Sequence, residues 1–173
     1  MKTRAIFGSF LIFISGICTF FTPFSFSSLP IIVKRSSEAI IYVGFFDVEV
    51  QNLKPNIQVD PAVPSVWTPL SIPSFIMFSF FVFIGIMSII IGFITFFHYI
   101  SLLEIKHYRI MPIIAVALGF LNVIIEVLIY FGNKYQWGLS NLSSGESIGL
   151  GYWVLLLSGI ELILGGLLIH LRN

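Results

Sequence analysis

The sequence predicts an all-α membrane fold: a four-transmembrane-helix bundle with a small extracellular antiparallel β-rich cap. Three observations carry this prediction. The chain of 173 residues is 57% hydrophobic and only 10% charged, where a soluble domain has about a quarter of its residues charged. Four long apolar runs are separated by polar links. Each run places its small residues on one helical face, as membrane helices do where they pack.

Composition also bounds function. A net charge of +1 gives no nucleic-acid footprint, so no nucleic-acid partner is expected. Cys18 is the only cysteine, so an intrachain disulfide and a CxxC centre are both ruled out. The length suits one compact helical unit spanning residues 1–173.

The first helix is expected over residues 5–24. Lys2 and Arg4 precede it and Thr22-Pro23 closes it. A basic start followed by an apolar core and Ser25-Phe26-Ser27 also fits a cleaved signal peptide. The apolar run is longer than most signal cores. Gly8, Ser15, Thr19 and Thr22 share one face, which a disposable segment does not need, so a retained helix is favoured.

Residues 25–73 form the first external loop. Leu29 to Val33 is a short candidate strand, with Pro30 acceptable only near its start or on a sheet edge. Lys34 to Glu38 is expected to turn. Ala39 to Gln51 is rich in β-branched and aromatic residues, and its end, Asp47 to Gln51, alternates as a strand with one wet face does. A sheet of two to four antiparallel strands follows from this loop, then a proline-rich return to Pro73.

The second helix is expected over residues 74–100, with Gly85, Ser88, Gly92 and Thr95 as its small face. The link to the third helix is short, which makes the two antiparallel neighbours. The third helix, residues 110–131, sets Ala115, Gly119, Asn122 and Glu126 within roughly 60° of one another. A polar stripe of that kind must face protein, because an unpaired polar group in hydrocarbon costs several kcal/mol. Residues 132–147 form the second external loop, where Asn141-Leu142-Ser143 fits a glycosylation acceptor. The fourth helix, residues 148–171, carries the stripe Gly151, Ser158 and Gly165, flanked by Gly159, Gly166 and Glu161.

Lys and Arg set the orientation. With both termini cytoplasmic, Lys2, Arg4, Lys106, Arg109 and Arg172 crowd short internal segments. Lys34, Arg35, Lys54 and Lys134 are spread over much longer external ones. Trp67, Trp137 and Trp153 then fall near the outer interface. The expected location is the cell membrane, multi-pass, in contact with lipid and with other membrane proteins or a second copy.

Glu126 and Glu161 are the sharpest chemical features. Intramembrane acids are functional candidates by default. In the acid form each can donate one hydrogen bond and accept others. A ladder of Glu161, Asn122 and Glu126 would relay protons or hold a cation. The plainer alternative is that these groups tie helices together. His98, His107 and His170 lie at the cytoplasmic boundary, where half-solvated histidines outnumber metal or haem ligands. No Ser-His-Asp set, nucleotide loop or HExxH motif is present, and no cofactor is expected.

The order of parts resembles the claudin-like tetraspan superfamily, with its peripheral-myelin-type and fungal or prokaryotic relatives. The first helix exits through Phe21-Thr22-Pro23-Phe24. A large strand-rich loop, a short internal turn and a smaller second loop follow. The last helix is glycine-rich, from Gly149-Leu150-Gly151-Tyr152-Trp153 to Gly165-Gly166. The likeness covers the whole chain in layout. The animal claudins' first-loop signature, with its Gly-Leu-Trp core and two cysteines, is absent. The resemblance implies a first-loop sheet that contacts neighbours, and work by association rather than catalysis. The function expected is therefore a non-catalytic organiser or accessory subunit. The alternative is a proton- or ion-handling subunit of a membrane energy or transport complex.

Overall fold

The computed structural model describes residues 2–24, 29–35, 39–45, 48–52, 72–100, 102, 108–131 and 146–171. Four α-helices dominate: α1 (Lys2–Phe21), α2 (Ile72–Tyr99), α3 (Met111–Phe131) and α4 (Leu150–His170). A 3₁₀ turn, Thr22–Phe24, extends α1, and another, Tyr108–Ile110, leads into α3. The helices have 20, 28, 21 and 21 residues. At about 1.5 Å per residue even the shortest reaches roughly 30 Å. All four are long and apolar enough to cross a membrane. Phe7, Phe83, Ile113, Phe120, Leu157 and Leu164 are each about half exposed, which suits a surface bathed by lipid.

The chain divides into two compact units. The first comprises residues 1–21, 81–124 and 154–173, and is purely helical among the described residues. Its helices touch through their small residues. A Cβ added at Gly8 would come within 2.7 Å of the Gly165 carbonyl oxygen, and one at Gly165 within 2.8 Å of the Gly8 oxygen. So α1 and α4 meet almost backbone to backbone. A Cβ on Gly85 would lie 2.7 Å from Phe20 Cα, and one on Gly92 2.6 Å from the Phe13 nitrogen, which sets α2 antiparallel against α1. Gly119 meets Ile163 and Gly159, and Gly166 meets Val116 and Pro112, joining α3 to α4. Gly8, Ser15, Gly85, Gly92, Ala115, Gly119, Ser158 and Gly165 are all buried, as the periodicity predicts. At the link side, His98 stacks on Tyr108 with ring centroids 4.1 Å apart.

The second unit comprises residues 22–80 and 125–153, and holds the sheet. Its strands are β1 (Ile32–Arg35), β2 (Ala39–Val43), β3 (Val48–Asn52) and β4 (Glu146–Ile148). They lie antiparallel in the order β3-β2-β1-β4. The segment Ala39 to Gln51 forms a hairpin around Gly44, with Tyr42 opposite Glu49. Three expectations are corrected here. The sheet does not come from the first loop alone, because β4 pairs Lys34 with Glu146 and Ile32 with Ile148. Consequently the last helix starts at Leu150 rather than residue 148, since Ile148 is engaged in the sheet. Lys34 and Arg35 also belong to β1 rather than to a turn.

Pro30 stands just before β1, where its missing N–H is harmless. Its carbonyl accepts from Gly151 N at 2.9 Å, and the Ile31 carbonyl from Gly149 N at 2.7 Å. Gly149 and Gly151 press so closely on Leu29, Pro30 and Ile31 that a Cβ on either would overlap backbone atoms. Ile32, Ala39 and Val43 are wholly buried. The Asn141 sequon, Trp67, Trp137, His107 and the proline-rich return lie outside the described residues.

Two glycine substitutions test this packing. Gly85→Val is expected to destabilise the helical unit by about 1–3 kcal/mol, the usual penalty for overpacking. Gly149→Ala is expected to disturb β4 and the start of α4 instead. Thermal unfolding in detergent reads the first. Backbone hydrogen exchange at residues 146–153 reads the second.

Candidate functional site

The polar groups of the first unit collect where α1, α3 and α4 meet. Leu155 leaves its carbonyl oxygen open to two side-chain donors. Asn122 Nδ2 donates to it at 2.8 Å and Ser158 Oγ at 2.7 Å. Thr19 Oγ1 and Ser158 Oγ lie 2.8 Å apart, and Ser15 Oγ donates to the Ser158 carbonyl. All these side chains are almost completely buried. Gly159 makes room for the amide, since a Cβ there would stand 2.7 Å from Asn122 Nδ2. The small stripe thus lets backbones approach, and it also brings helix carbonyls within reach of hydroxyls on a neighbour. The Asn122 Oδ1 atom is buried with no hydrogen-bond partner among the described residues.

Glu161 lies on the α1-facing flank of α4, half-buried rather than enclosed. It is near enough to Cys18 for the two to interact electrostatically. Asn122 spends its amide on Leu155, not on Glu161.

Glu126 belongs to the second unit and is fully buried. Among the described residues neither carboxyl oxygen meets a hydrogen-bond partner. Ile125 and Ile129, on the same helix, are buried with it. From α4, Tyr152 sends its hydroxyl to the Glu126 carbonyl oxygen at 3.4 Å, a long bond at the edge of useful geometry. The Tyr152 phenol also interacts electrostatically with Glu126 and with Tyr130. The rings of Tyr130 and Tyr152 are 6.4 Å apart. Sequence reasoning treated Tyr152 as part of a glycine-rich helix start and missed its place beside Glu126. The available signal was a tyrosine on the buried Gly151 side of the helix, since a buried phenol seeks a partner.

Among the described residues no three His, Cys, Asp or Glu side chains are grouped to hold a metal ion. His98 is half-buried against Tyr108, and His170 is exposed. In the first unit an apolar groove of about 240 Å³ lies between α1 and α2. Phe10, Phe13, Phe93, Phe96 and Phe97 line it. Ser9 also borders it, but turns its hydroxyl back to the Ala5 carbonyl at 2.8 Å.

The Ser158 cluster is open to a double-mutant cycle. Ser158→Ala and Thr19→Ala should each lower stability by about 0.5–1.5 kcal/mol. Their combined effect should fall short of the sum by about 0.6 kcal/mol, because they remove one shared bond. Additive losses would show that the two hydroxyls do not share that bond. No protein-family model matches the chain, and no curated protein matches it in sequence.

Proposed function

We propose that the chain is a multi-pass protein of the cell membrane that acts by association, as an organiser or accessory subunit, without catalysing a reaction. The observation that carries this reading is the sheet of the second unit. It ends in β3, which has a strand neighbour on one side only among the described residues. A free strand edge is a template for pairing with another chain. Glu49 and Gln51 stand exposed on β3, and Tyr42 donates to Gln51 Oε1 at 3.3 Å, which keeps the outer surface of the hairpin polar. The closely packed first unit supports the same reading. Its helices approach through glycine, and the groove between α1 and α2 suits lipid rather than a polar substrate.

In this reading both termini are cytoplasmic and the sheet is extracellular, as the Lys and Arg distribution favours. Kinship with the claudin-like tetraspan layout belongs to the same proposal. Its partners are lipid, other membrane proteins or a second copy.

A second reading has its own observation. Glu126 is a buried acid whose two carboxyl oxygens have no hydrogen-bond partner among the described residues. Such a group suits a proton- or ion-handling subunit, with Glu161 as a further candidate.

Lysine substitution on the hairpin separates the two. Charges on an edge strand oppose pairing. Glu49→Lys with Gln51→Lys is expected to reduce recovery of a stoichiometric partner, or of the homo-oligomer, after mild-detergent extraction. Membrane integration and monodispersity should be unchanged. Full recovery from the doubly substituted protein would remove the sheet from the mechanism. Glu126→Gln, by contrast, should leave association intact.

A further inference from the structure

We infer that Glu126 and Tyr152 together form an internal water-binding site. This deepens the second reading above by naming the ligand of Glu126. Both residues, with Tyr130, lie in the second unit, so the site is built within one packed body. Glu126 is fully buried and Tyr152 is 4% exposed. Among the described residues the two carboxyl oxygens have no hydrogen-bond partner, and the Tyr152 hydroxyl makes a 3.4 Å bond to the Glu126 carbonyl. Buried polar atoms in proteins are nearly always satisfied, and ordered water does this where the protein does not.

The chemistry narrows the ligand. It must donate, because a carboxylate only accepts, and it can also accept from the phenol, which does either. It must be small, since the buried Ile125 and Ile129 share this stretch of α3. A metal ion fits poorly, as no three acidic, imidazole or thiol groups are grouped here among the described residues. A water molecule needs two to four polar partners. The two carboxyl oxygens, the phenol and the Glu126 carbonyl supply that number. Water held this way bridges the Glu126 side chain to Tyr152 on the neighbouring helix. It gives the carboxyl a route for proton exchange that the protein groups alone do not provide.

Water-edited solid-state NMR of the full chain in lipid bilayers tests this. The protein carries ¹³C-labelled glutamate and isoleucine, and Glu126→Gln identifies the Glu126 side-chain resonance. In the wild-type protein the Glu126 carboxyl carbon is expected to take up water magnetisation well ahead of the Ile129 methyl groups. Tyr152→Phe, which keeps the ring and its packing, is expected to remove most of that transfer. Equal transfer to Glu126 and Ile129 in the wild-type protein would overturn the site, and this comparison does not depend on how the tyrosine variant folds. Transfer unaffected by Tyr152→Phe would overturn the two-residue bridge. The proton-handling reading fails on a different result, namely proton flux in proteoliposomes that Glu126→Gln leaves unaltered. That outcome would leave the water site standing.

Discussion

Helices in hydrocarbon have no hydrophobic drive to pack, since lipid tails are as apolar as leucine. What remains is close contact and interhelical hydrogen bonding, and both require a bare backbone at the seam. The first unit meets this requirement with Gly8 against Gly165, Gly85 against Phe20, and Gly119 against Gly159. Everything else in that unit follows from those approaches. The aromatic and branched residues are displaced to the other faces, where Phe83, Phe93 and Phe120 stand exposed. Ser15 and Asn122 can stay inside because the carbonyl of a neighbouring helix is near enough to accept from them.

That accommodation differs from one group to the next. Ser9 and Thr95 satisfy their hydroxyls within their own helices, on the Ala5 and Ile91 carbonyls. Ser15, Thr19 and Asn122 do so across helices, while Ser158 donates to Leu155 within α4 and meets Thr19 across the seam. Glu126 does neither with its carboxyl. A carboxyl is longer and needs more partners than a hydroxyl, and no helix carbonyl can donate to it. Ser88 Oγ and Asn122 Oδ1 are also buried without a partner among the described residues, so what sets Glu126 apart is that both polar atoms of its side chain are in this state and that they can carry a charge.

The helices and their inward faces were legible in the sequence, because a 3.6-residue period of small residues is preserved whatever the neighbour turns out to be. Ala115, Gly119, Asn122 and Glu126 are buried as that period requires. The sheet was legible only in part. Gly44 gave a weak turn signal inside the run from Ala39 to Gln51, so only its alternating end, Asp47 to Gln51, read clearly as a strand. Strand β4 gave almost no signal. Glu146, Ser147 and Ile148 have no strand pattern of their own and become a strand through pairing with β1. The place of Tyr152 beside Glu126 was hidden for a similar reason, since it depends on how two segments distant in sequence are brought together. The relation of Glu161 to Cys18 was equally non-local.

The pairing of β1 with β4 has a consequence for biogenesis. Strand β1 is synthesised early, and the three residues that complete the sheet beside it emerge more than a hundred residues later. Between them two whole helices must be made. Throughout that interval one side of β1 has no intended neighbour, and the backbone of Pro30 and Ile31 awaits Gly149 and Gly151. Closure of the sheet is therefore a late event that reports on delivery of the segment preceding α4. A chain in which β4 fails to dock would keep a raw strand edge, the kind of surface that quality-control chaperones recognise.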